Sequence, residues 1–289
     1  MTHAQLVGRW RRGLLRAPNT ADDVTSDVSW IQGPSRYVDL RLPADLLTVT
    51  ARSAGDLTLT DLLLLAHRQG FAGTFRLAAD VAGWHRAIDL QPPAPTPDVG
   101  RVTLLPRAAG DLPGTTDLLV ETGVHADYVE HWWRVVDDGD PPDLRAGCAT
   151  GHDEFGRAVV VVRAGRHVAL ARDRAAPLPA GARDLAEAVR GAADVGTART
   201  LVDCELSWGT VDAAGWHLER SSLPWRTGVT LRPRRVGDRL DLRAATTSAP
   251  LDRWTLTDVL GQESLLHRPT APRTTAPRTT ARPPAAPVR

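Results

Sequence analysis

The fold is decided by the stretch Gly83–Pro93, which reads GWHRAIDLQPP. It places an aromatic residue, charges of both signs and an amide within one short run that has the character of a β-strand. A weaker copy, Gly215–Pro224, reads GWHLERSSLP in the second half of the chain. The pair predicts a duplicated architecture in which Gly-Trp-His is shared structure. The residues that only the first copy carries, Arg86, Asp89 and Gln91, are then the better candidates for function.

On both sides of this stretch, short alternating runs are separated by turn residues at hairpin spacing, which is typical of β-barrels. Each half also contains one pattern with helical spacing, at Thr58–Gln69 and at Arg183–Ala192. The sequence therefore predicts a mainly β fold of two consecutive lipocalin-like, calycin-type antiparallel barrels, each with a short helix. The expected domains are residues 1–140, residues 141–262 and a tail of residues 263–289.

Two segments lack the strand pattern. Residues 137–153 contain the sequence DGDPP and many small residues, and we expect a linker between the barrels. The tail is rich in Pro, Thr and Arg and repeats TAPRT, so it cannot bury enough apolar surface to offset the entropy of ordering it. We expect a disordered tail, with a solubilising role as the simpler interpretation and docking of a protein partner as the alternative.

The composition is that of a globular protein. Of the 289 residues, 42% are hydrophobic and 24% are charged, which is enough apolar content for a core. The net charge of +1 is uneven, because the tail from Arg268 onward holds five arginines and no acid. The remainder is mildly acidic, and an acidic body has no clustered basic face with which to neutralise the phosphates of nucleic acid. We therefore expect no nucleic-acid partner.

The cysteines and the hydropathy pattern indicate a compartment. Cys148 and Cys204 are far apart and form no C-x-x-C pattern, which fits a reducing environment. Met1–Thr20 lacks the continuous apolar region of a secretory signal, and the longest apolar runs of the chain are too short to cross a bilayer. These features predict a cytoplasmic protein with no membrane partner.

Three strands of the first half, around Asp39, Arg86 and Glu130, carry charged and aromatic residues on one parity. In the middle strand, strict alternation puts Arg86 on one face and Asp89 with Gln91 on the other. If the barrel closes, the polar parity points into a polar lumen, whereas the opposite orientation gives an ordinary solvated face. Both alternatives stay open. The ligand-binding candidates are Trp84, Arg86, Gln91, Arg101 and Trp132. Asp98 and Glu121 are further candidates, because each lies close to a glycine turn at the end of a strand, although such acids more often stabilise the turn.

The leading functional hypothesis is that the first barrel binds a small, partly polar or aromatic molecule. The second is a lipocalin-like enzyme, such as a cyclase, isomerase or hydratase, in which Asp89 or Glu130 acts as general acid or base with Tyr128. The third is a non-catalytic scaffold that presents the barrels to protein partners. The sequence leaves open whether the protein is an enzyme, because an enzyme needs a carboxylate that is buried and not locked by arginine.

We expect no cofactor and no metal. The chain has no glycine-rich nucleotide motif, no P-loop and no Gly-x-Ser-x-Gly elbow. His125 with His131, and His152 with Asp153 and Glu154, come nearest to a metal site, but neither group has the compact spacing of known zinc motifs.

Four short motifs together resemble a fungal family of two-barrel, lipocalin-like proteins and its bacterial look-alikes. They are YVDLR at 37–41, the run from Trp84 to Asp89, Glu121-x-Gly123, and YVE-x-W at 128–132. The resemblance implies two consecutive calycin-type barrels, and the family is known for association with a casein kinase I and has no established enzymatic activity. This chain departs from it in the arginine-rich tail and in the Gln91–Pro93 loop, so the kinase partnership is not carried over.

Overall fold

The computed structural model describes residues 1–44, 49–106, 115–136, 145–247 and 249–266. Within them the chain forms two closed antiparallel barrels of eight strands each, one from each half of the sequence. Consecutive strands pair with each other, and the last strand of each barrel pairs with the first. The mainly β, two-barrel architecture predicted from the sequence is confirmed.

The first barrel is a meander closed by the pairing of its last strand with its first. Its strands are β1 (Gly8–Arg16), β2 (Asp27–Gln32), β3 (Arg36–Leu42), β4 (Gln69–Ala78), β5 (Val81–Asp89), β6 (Asp98–Pro106), β7 (Thr115–Gly123) and β8 (Val129–Val135).

The second barrel repeats this order. Its strands are β9 (Ala146–Asp153), β10 (Ala158–Ala164), β11 (His167–Arg172), β12 (Glu205–Val211), β13 (Trp216–Ser221), β14 (Thr230–Val236), β15 (Arg239–Ala244) and β16 (Pro250–Leu260). The α-helices of the described residues are α1 (His3–Leu6), α2 (Leu59–Leu65), α3 (Leu185–Arg190), α4 (Val195–Val202) and α5 (Gln262–Leu266), with 3₁₀ turns at Ala54–Asp56 and Pro224–Arg226.

Strand β9 corrects the expected linker, whose second half is part of a barrel. Its small residues lack the β-branched pattern of a strand, but β9 pairs with β10 on one side and closes the barrel against β16 on the other. Glycine is required at Gly151, because an added Cβ atom would collide with the carbonyl oxygen of Thr255 on β16. The first half of the expected linker, residues 137–144, lies outside the described residues.

Short helices occupy equivalent connections in the two barrels, between β3 and β4 and between β11 and β12. Helix α2 begins at a capping box, in which Thr58 and Asp61 each bond the backbone N–H of the other. Helices α3 and α4 begin at the capping side chains of Asp184 and Asp194. The sequence predicts one helix in each half, at α2 and α3, so α1, α4 and α5 are additions. Helices α2, α3 and α4 pack their apolar faces into one cluster.

The two barrels pack against each other through an apolar seam. The first barrel contributes outward-facing residues of β2, β3 and β5, and the second contributes residues of β10 and β12. Prominent members are Ile31, Val38, Leu40 and Ile88 from the first barrel and Val160, Val162, Leu206 and Trp208 from the second. Strand β3 is therefore buried on both of its faces, one against the seam and one in its own lumen.

The end of the Gly83–Pro93 stretch joins the two barrels by hydrogen bonds. The Gln91 side chain donates to the carbonyl oxygens of Ala66 and Arg68 at 2.9 and 2.6 Å and accepts from the Leu185 N–H at 3.0 Å. From the second barrel, Arg174 donates to the Asp89 carbonyl oxygen at 2.5 Å. Gln91 is thus a structural residue of the junction in this fold.

The shared Gly-Trp-His marks the same irregularity in both barrels. In the first barrel, His85 pairs with Thr74 and Arg86 pairs with Gly73. In the second barrel, His217 pairs with Thr210 and Leu218 pairs with Gly209 at the equivalent positions. Each ladder shifts register at its glycine, Gly73 or Gly209. An added Cβ atom at either glycine would collide with the carbonyl oxygen of the histidine opposite. The motif positions a bulge, as expected for a shared architectural element.

Helix α5 overlaps the predicted tail, which was expected to begin at residue 263. Leu265 is fully buried in the core of the second barrel, and its backbone lies against Gly147 of β9. The packing of this one leucine explains why the ordered chain continues beyond the expected limit. Residues 267–289 and the expected boundary between residues 140 and 141 lie outside the described residues.

Gln91→Ala tests the junction. We expect the free energy of unfolding to fall by about 1–3 kcal/mol, because buried groups on both barrels lose their hydrogen-bond partner. Gln69→Ala is the matched control, since Gln69 is exposed and its loss should cost less than about 0.5 kcal/mol. Chemical denaturation of the full chain measures both; equal losses would contradict the role given to Gln91.

Candidate functional site

The first barrel encloses a cavity of about 220 Å³. Its wall combines aromatic rings with acids and arginines, and its residues come from all eight strands and from the β7–β8 turn. The lining residues are Leu15, Trp30, Asp39, Arg41, Phe71, Trp84, Arg86, Asp98, Glu121, Tyr128, Glu130 and Trp132. The polar parity of β3 therefore points into the lumen, which decides between the two orientations that the sequence leaves open.

Aromatic rings form the inner end of the cavity. Trp30 is 1% exposed, and its ring centroid lies 5.7 Å from that of Trp84 and 5.8 Å from that of Trp132. Both contacts are edge-to-face, the arrangement that aromatic pairs favour. The inner wall is consequently rigid, apolar and rich in ring faces and edges.

Arginines hold two of the lining carboxylates in fixed pairs. Arg41 donates to Asp39 at 2.8 Å and to Glu130 at 3.2 Å. Arg12, behind the cavity wall, donates to Glu130 at 2.7 Å and to Asp23 at 2.6 Å. Glu130, one of the predicted catalytic acids, thus has two guanidinium partners. Both guanidinium groups donate to the same oxygen of this carboxylate, Oε1, in charge-assisted hydrogen bonds.

Arg86 occupies the mouth of the cavity, with its side chain 29% exposed. It donates to Asp89 at 2.9 Å and to Asp98 at 2.7 Å, and its guanidinium lies 3.6 Å from the centroid of Phe71. Burial raises the pKa of the Asp89 carboxyl, whereas the charge of Arg86 and its hydrogen bond act to lower that pKa. The bulge in β5 explains why Arg86 and Asp89 meet although strict alternation places them on opposite faces.

Glu121 differs from the other lining acids, because among the described residues it forms no ion pair with an arginine. It is 3% exposed, and it accepts hydrogen bonds from the Tyr128 hydroxyl at 2.7 Å and from Trp132 Nε1 at 3.1 Å. Burial and the nearby Glu130 raise the pKa of Glu121 to about 8. Gly100 makes room for this side chain, since an added Cβ atom would lie 2.8 Å from Glu121 Oε1.

The second barrel shows which of these residues the fold does not need. The shared bulge and strand pairings align the two barrels residue by residue. Leucines that are fully buried stand at four positions equivalent to polar lining residues: Leu170 for Asp39, Leu218 for Arg86, Leu231 for Asp98 and Leu240 for Glu121. Of the lining tryptophans, Trp84 is kept as Trp216, whereas Val161 stands for Trp30 and Leu256 for Trp132.

Charged residues of the second barrel are grouped at one end instead. Arg226 donates to Glu205 at 2.8 Å and to Asp252 at 2.7 Å, beside a depression of about 650 Å³ that Arg172 also lines. The middle of this lumen is apolar. The polar centre is therefore a property of the first barrel and not of the duplicated fold.

The structure brings five of the eight predicted site residues to the cavity and places three elsewhere. Trp84, Arg86, Tyr128, Glu130 and Trp132 line the cavity. Asp89 lies in a groove of about 970 Å³ between the barrels. This groove adjoins the mouth of the cavity, and Trp84, Arg86 and Asp98 line both the groove and the cavity. Gln91 is at the barrel junction, and Arg101 is exposed and pairs with Asp80 at 2.9 Å.

Several lining residues were not among the eight predicted site residues, and Glu121 was only a further candidate beside a glycine turn. Its strand parity was the available signal, because Glu121 and Leu119 share a face and lie opposite Glu130 and Trp132 on β8. Asp39 and Arg41 gave the same signal on β3, where they alternate with Val38 and Leu40.

The described part of the chain holds no group of three His, Cys, Asp or Glu side chains placed to bind a metal ion. No helix within the described ranges is long and apolar enough to cross a membrane.

Comparison with known proteins gives little. No protein-family model and no curated protein sequence matches the chain. Among solved structures, the chain is similar to the crystal structure of an uncharacterized protein from Saccharomyces cerevisiae, with 9% sequence identity and a TM-score of 0.44. That match covers 87% of this chain and 98% of the yeast chain. At this level the similarity supports no functional inference, and the two-barrel fold rests on the strand pairing itself.

The raised pKa of Glu121 makes stability depend on pH. A carboxyl with a folded-state pKa of about 8 binds its proton more tightly than in the unfolded chain, where the pKa is about 4.3. Its stabilisation is complete below the unfolded-state value and is lost as the pH rises through 8. Between about pH 5 and pH 9, we expect the melting temperature of the wild type to fall by at least about 3 °C more than that of Glu121→Gln.

Thermal unfolding at the two pH values measures this difference. Glu154→Gln is the control, because Glu154 is half exposed in the second barrel. Its replacement should leave the pH dependence of the melting temperature as it is in the wild type. Identical pH dependence in the wild type and Glu121→Gln would contradict the assignment.

Proposed function

We propose that the first barrel binds a small molecule in its cavity, and that the second barrel is a structural partner. The observation that carries the proposal is the contrast between the two lumens. At equivalent positions the second barrel has buried leucines where the first has Asp39, Arg86, Asp98 and Glu121. Burying charged groups costs desolvation energy that apolar side chains avoid, so a role beyond folding accounts best for their presence.

The dimensions and the lining indicate the type of ligand. A volume of about 220 Å³ lies below the roughly 300–1,000 Å³ of sites for drug-sized ligands, so the molecule is small. Rings of Trp30, Trp84 and Trp132 surround an apolar or aromatic body, and the charged groups nearer the mouth orient a polar one. This matches the partly polar or aromatic ligand expected from the sequence.

A second candidate function is proton transfer, and one observation favours it. A general acid or base works best when its pKa lies near the working pH, and Glu121 has a pKa of about 8 with the Tyr128 hydroxyl 2.7 Å away. Among the carboxyls of the site, Glu121 suits an isomerase-type or hydratase-type reaction better than Asp89 or Glu130, which arginines hold. Binding in the cavity is common to both candidates.

Native mass spectrometry of protein purified from its own host tests ligand binding. We expect the wild type to retain a small molecule and Leu15→Trp to lose it, because Leu15 lines the cavity and the larger ring fills the free volume. The occupied fraction should fall at least about tenfold, which requires a loss of at least about 1.4 kcal/mol of binding free energy.

Leu14→Trp is the matched control. Leu14 pairs with His131 whereas Leu15 pairs with Glu130, so Leu14 belongs to the parity that faces away from the lumen. It should retain the ligand, and melting curves check that both variants fold. A wild type without any bound mass, or Leu15→Trp with undiminished occupancy, would refute binding in the cavity.

A further inference from the structure

The charges that line the cavity do not balance. Four acids face it, Asp39, Asp98, Glu121 and Glu130, against two arginines, Arg41 and Arg86. Both arginines are already shared, since Arg41 bridges Asp39 and Glu130 and Arg86 bridges Asp89 and Asp98. When Glu121 is ionised, the site therefore has an excess of negative charge, centred on that residue.

The partners of Glu121 are neutral donors. Tyr128 and Trp132 each supply one hydrogen bond, one to each carboxylate oxygen. A carboxylate oxygen can accept more than one hydrogen bond, so both oxygens keep capacity for a donor from the cavity. An ionised Glu121 is a buried charge without a counter-ion, a state that is costly unless a cation pairs with it.

The aromatic lining suits a positive charge as well. Cations are attracted to ring faces within about 6 Å, and the site already contains one such contact, with Arg86 lying 3.6 Å from the centroid of Phe71. Trp84, Tyr128 and Trp132 line the same cavity around Glu121. A cation there would meet a carboxylate on one side and π-systems on the others.

An anionic ligand meets the opposite environment. Both lining arginines are engaged with carboxylates, and Glu121, Glu130 and Asp98 would repel a further negative charge. The lining therefore discriminates among ligands by the sign of their charge, and like-charge juxtaposition of this kind suppresses wrong ligands.

We propose that the ligand of the first barrel is a small organic cation, an amine or similar group on an apolar or aromatic body, whose charged end pairs with Glu121. This inference rests on the proposed function and names the class of its ligand. The described part of the second barrel does not reproduce the site, because Leu240 stands at the position of Glu121.

Binding of such a cation is coupled to loss of the Glu121 proton. The groups that act on this carboxyl are Glu130 and Tyr128 from β8 and the turn before it, Asp98 from β6 and Arg41 from β3. At neutral pH Glu121 is largely protonated, since its pKa is about 8, and a cation stabilises the ionised form. Affinity therefore rises with pH through about 8, while an alkylamine with a pKa near 10 keeps its charge.

Three isosteric probes test the inference on the full-length protein: 2-phenylethylamine, 2-phenylethanol and phenylacetate. Titration calorimetry at about pH 6, pH 7.5 and pH 9 gives the affinities, and buffers of different ionisation enthalpy report proton release. We expect the ammonium probe to bind at least about tenfold more tightly than the alcohol at the highest pH, to tighten as the pH rises and to release a proton. The acetate should bind most weakly.

Two variants locate the effect. In Glu121→Gln the ammonium probe should lose at least about tenfold in affinity together with its pH dependence, while the alcohol changes less than about threefold. Glu154→Gln, on the surface of the second barrel, should behave as the wild type. The inference is overturned if the ammonium probe binds no better than the alcohol, or if Glu121→Gln keeps the preference for the cation.

The outcome is separable from that of the proposed function. A neutral or anionic molecule retained in the native mass spectrum, and lost in Leu15→Trp, would leave cavity binding established and would refute a cationic ligand. Failure of the cavity to retain anything would instead contradict the proposed function itself.

Discussion

Closure of an eight-stranded sheet is the constraint on which the rest of this structure depends. Once the sheet closes, alternate side chains of every strand enter a lumen just wide enough to be packed solid or to hold one small ligand. The second barrel packs its centre with leucines, and the first has aromatic rings below a network of opposed charges. Because charges taken from water need partners, the placement of Arg41 between Asp39 and Glu130 follows from closure itself.

The seam between the barrels explains an unusual strand. Proteins commonly place the apolar face of a strand in the barrel and the polar face outside, and β3 does the reverse. Val38 and Leu40 face the neighbouring barrel, while Asp39 and Arg41 line the lumen. A second barrel that covers the outer face allows the inner face to become polar without loss of apolar burial for the strand as a whole.

Local patterns carried most of what the sequence could predict. Strand parity is a property of adjacent residues, so the two barrels and the shared strand faces of Trp84 with Arg86 and of Glu130 with Trp132 could be predicted from it. Which face points into the lumen could not, because parity is the same for either orientation. The side of Asp89 could not, because the bulge opposite Gly73 shifts the parity of β5. Strand β9 was also beyond reach, since its place in the sheet depends on pairing with a distant segment, β16. The burial of Glu121 was beyond reach as well, because it requires closure of the whole barrel.

Asp89 connects two parts of the molecule that the cavity alone would not link. Its carboxylate holds Arg86 at the cavity mouth, and its carbonyl oxygen accepts a hydrogen bond from Arg174 of the second barrel. A displacement of Arg174 would therefore reach Arg86 at the cavity mouth through a single residue. The shape of the mouth in the first barrel thus depends on a residue of the second, so a substitution in either half of the chain can alter it.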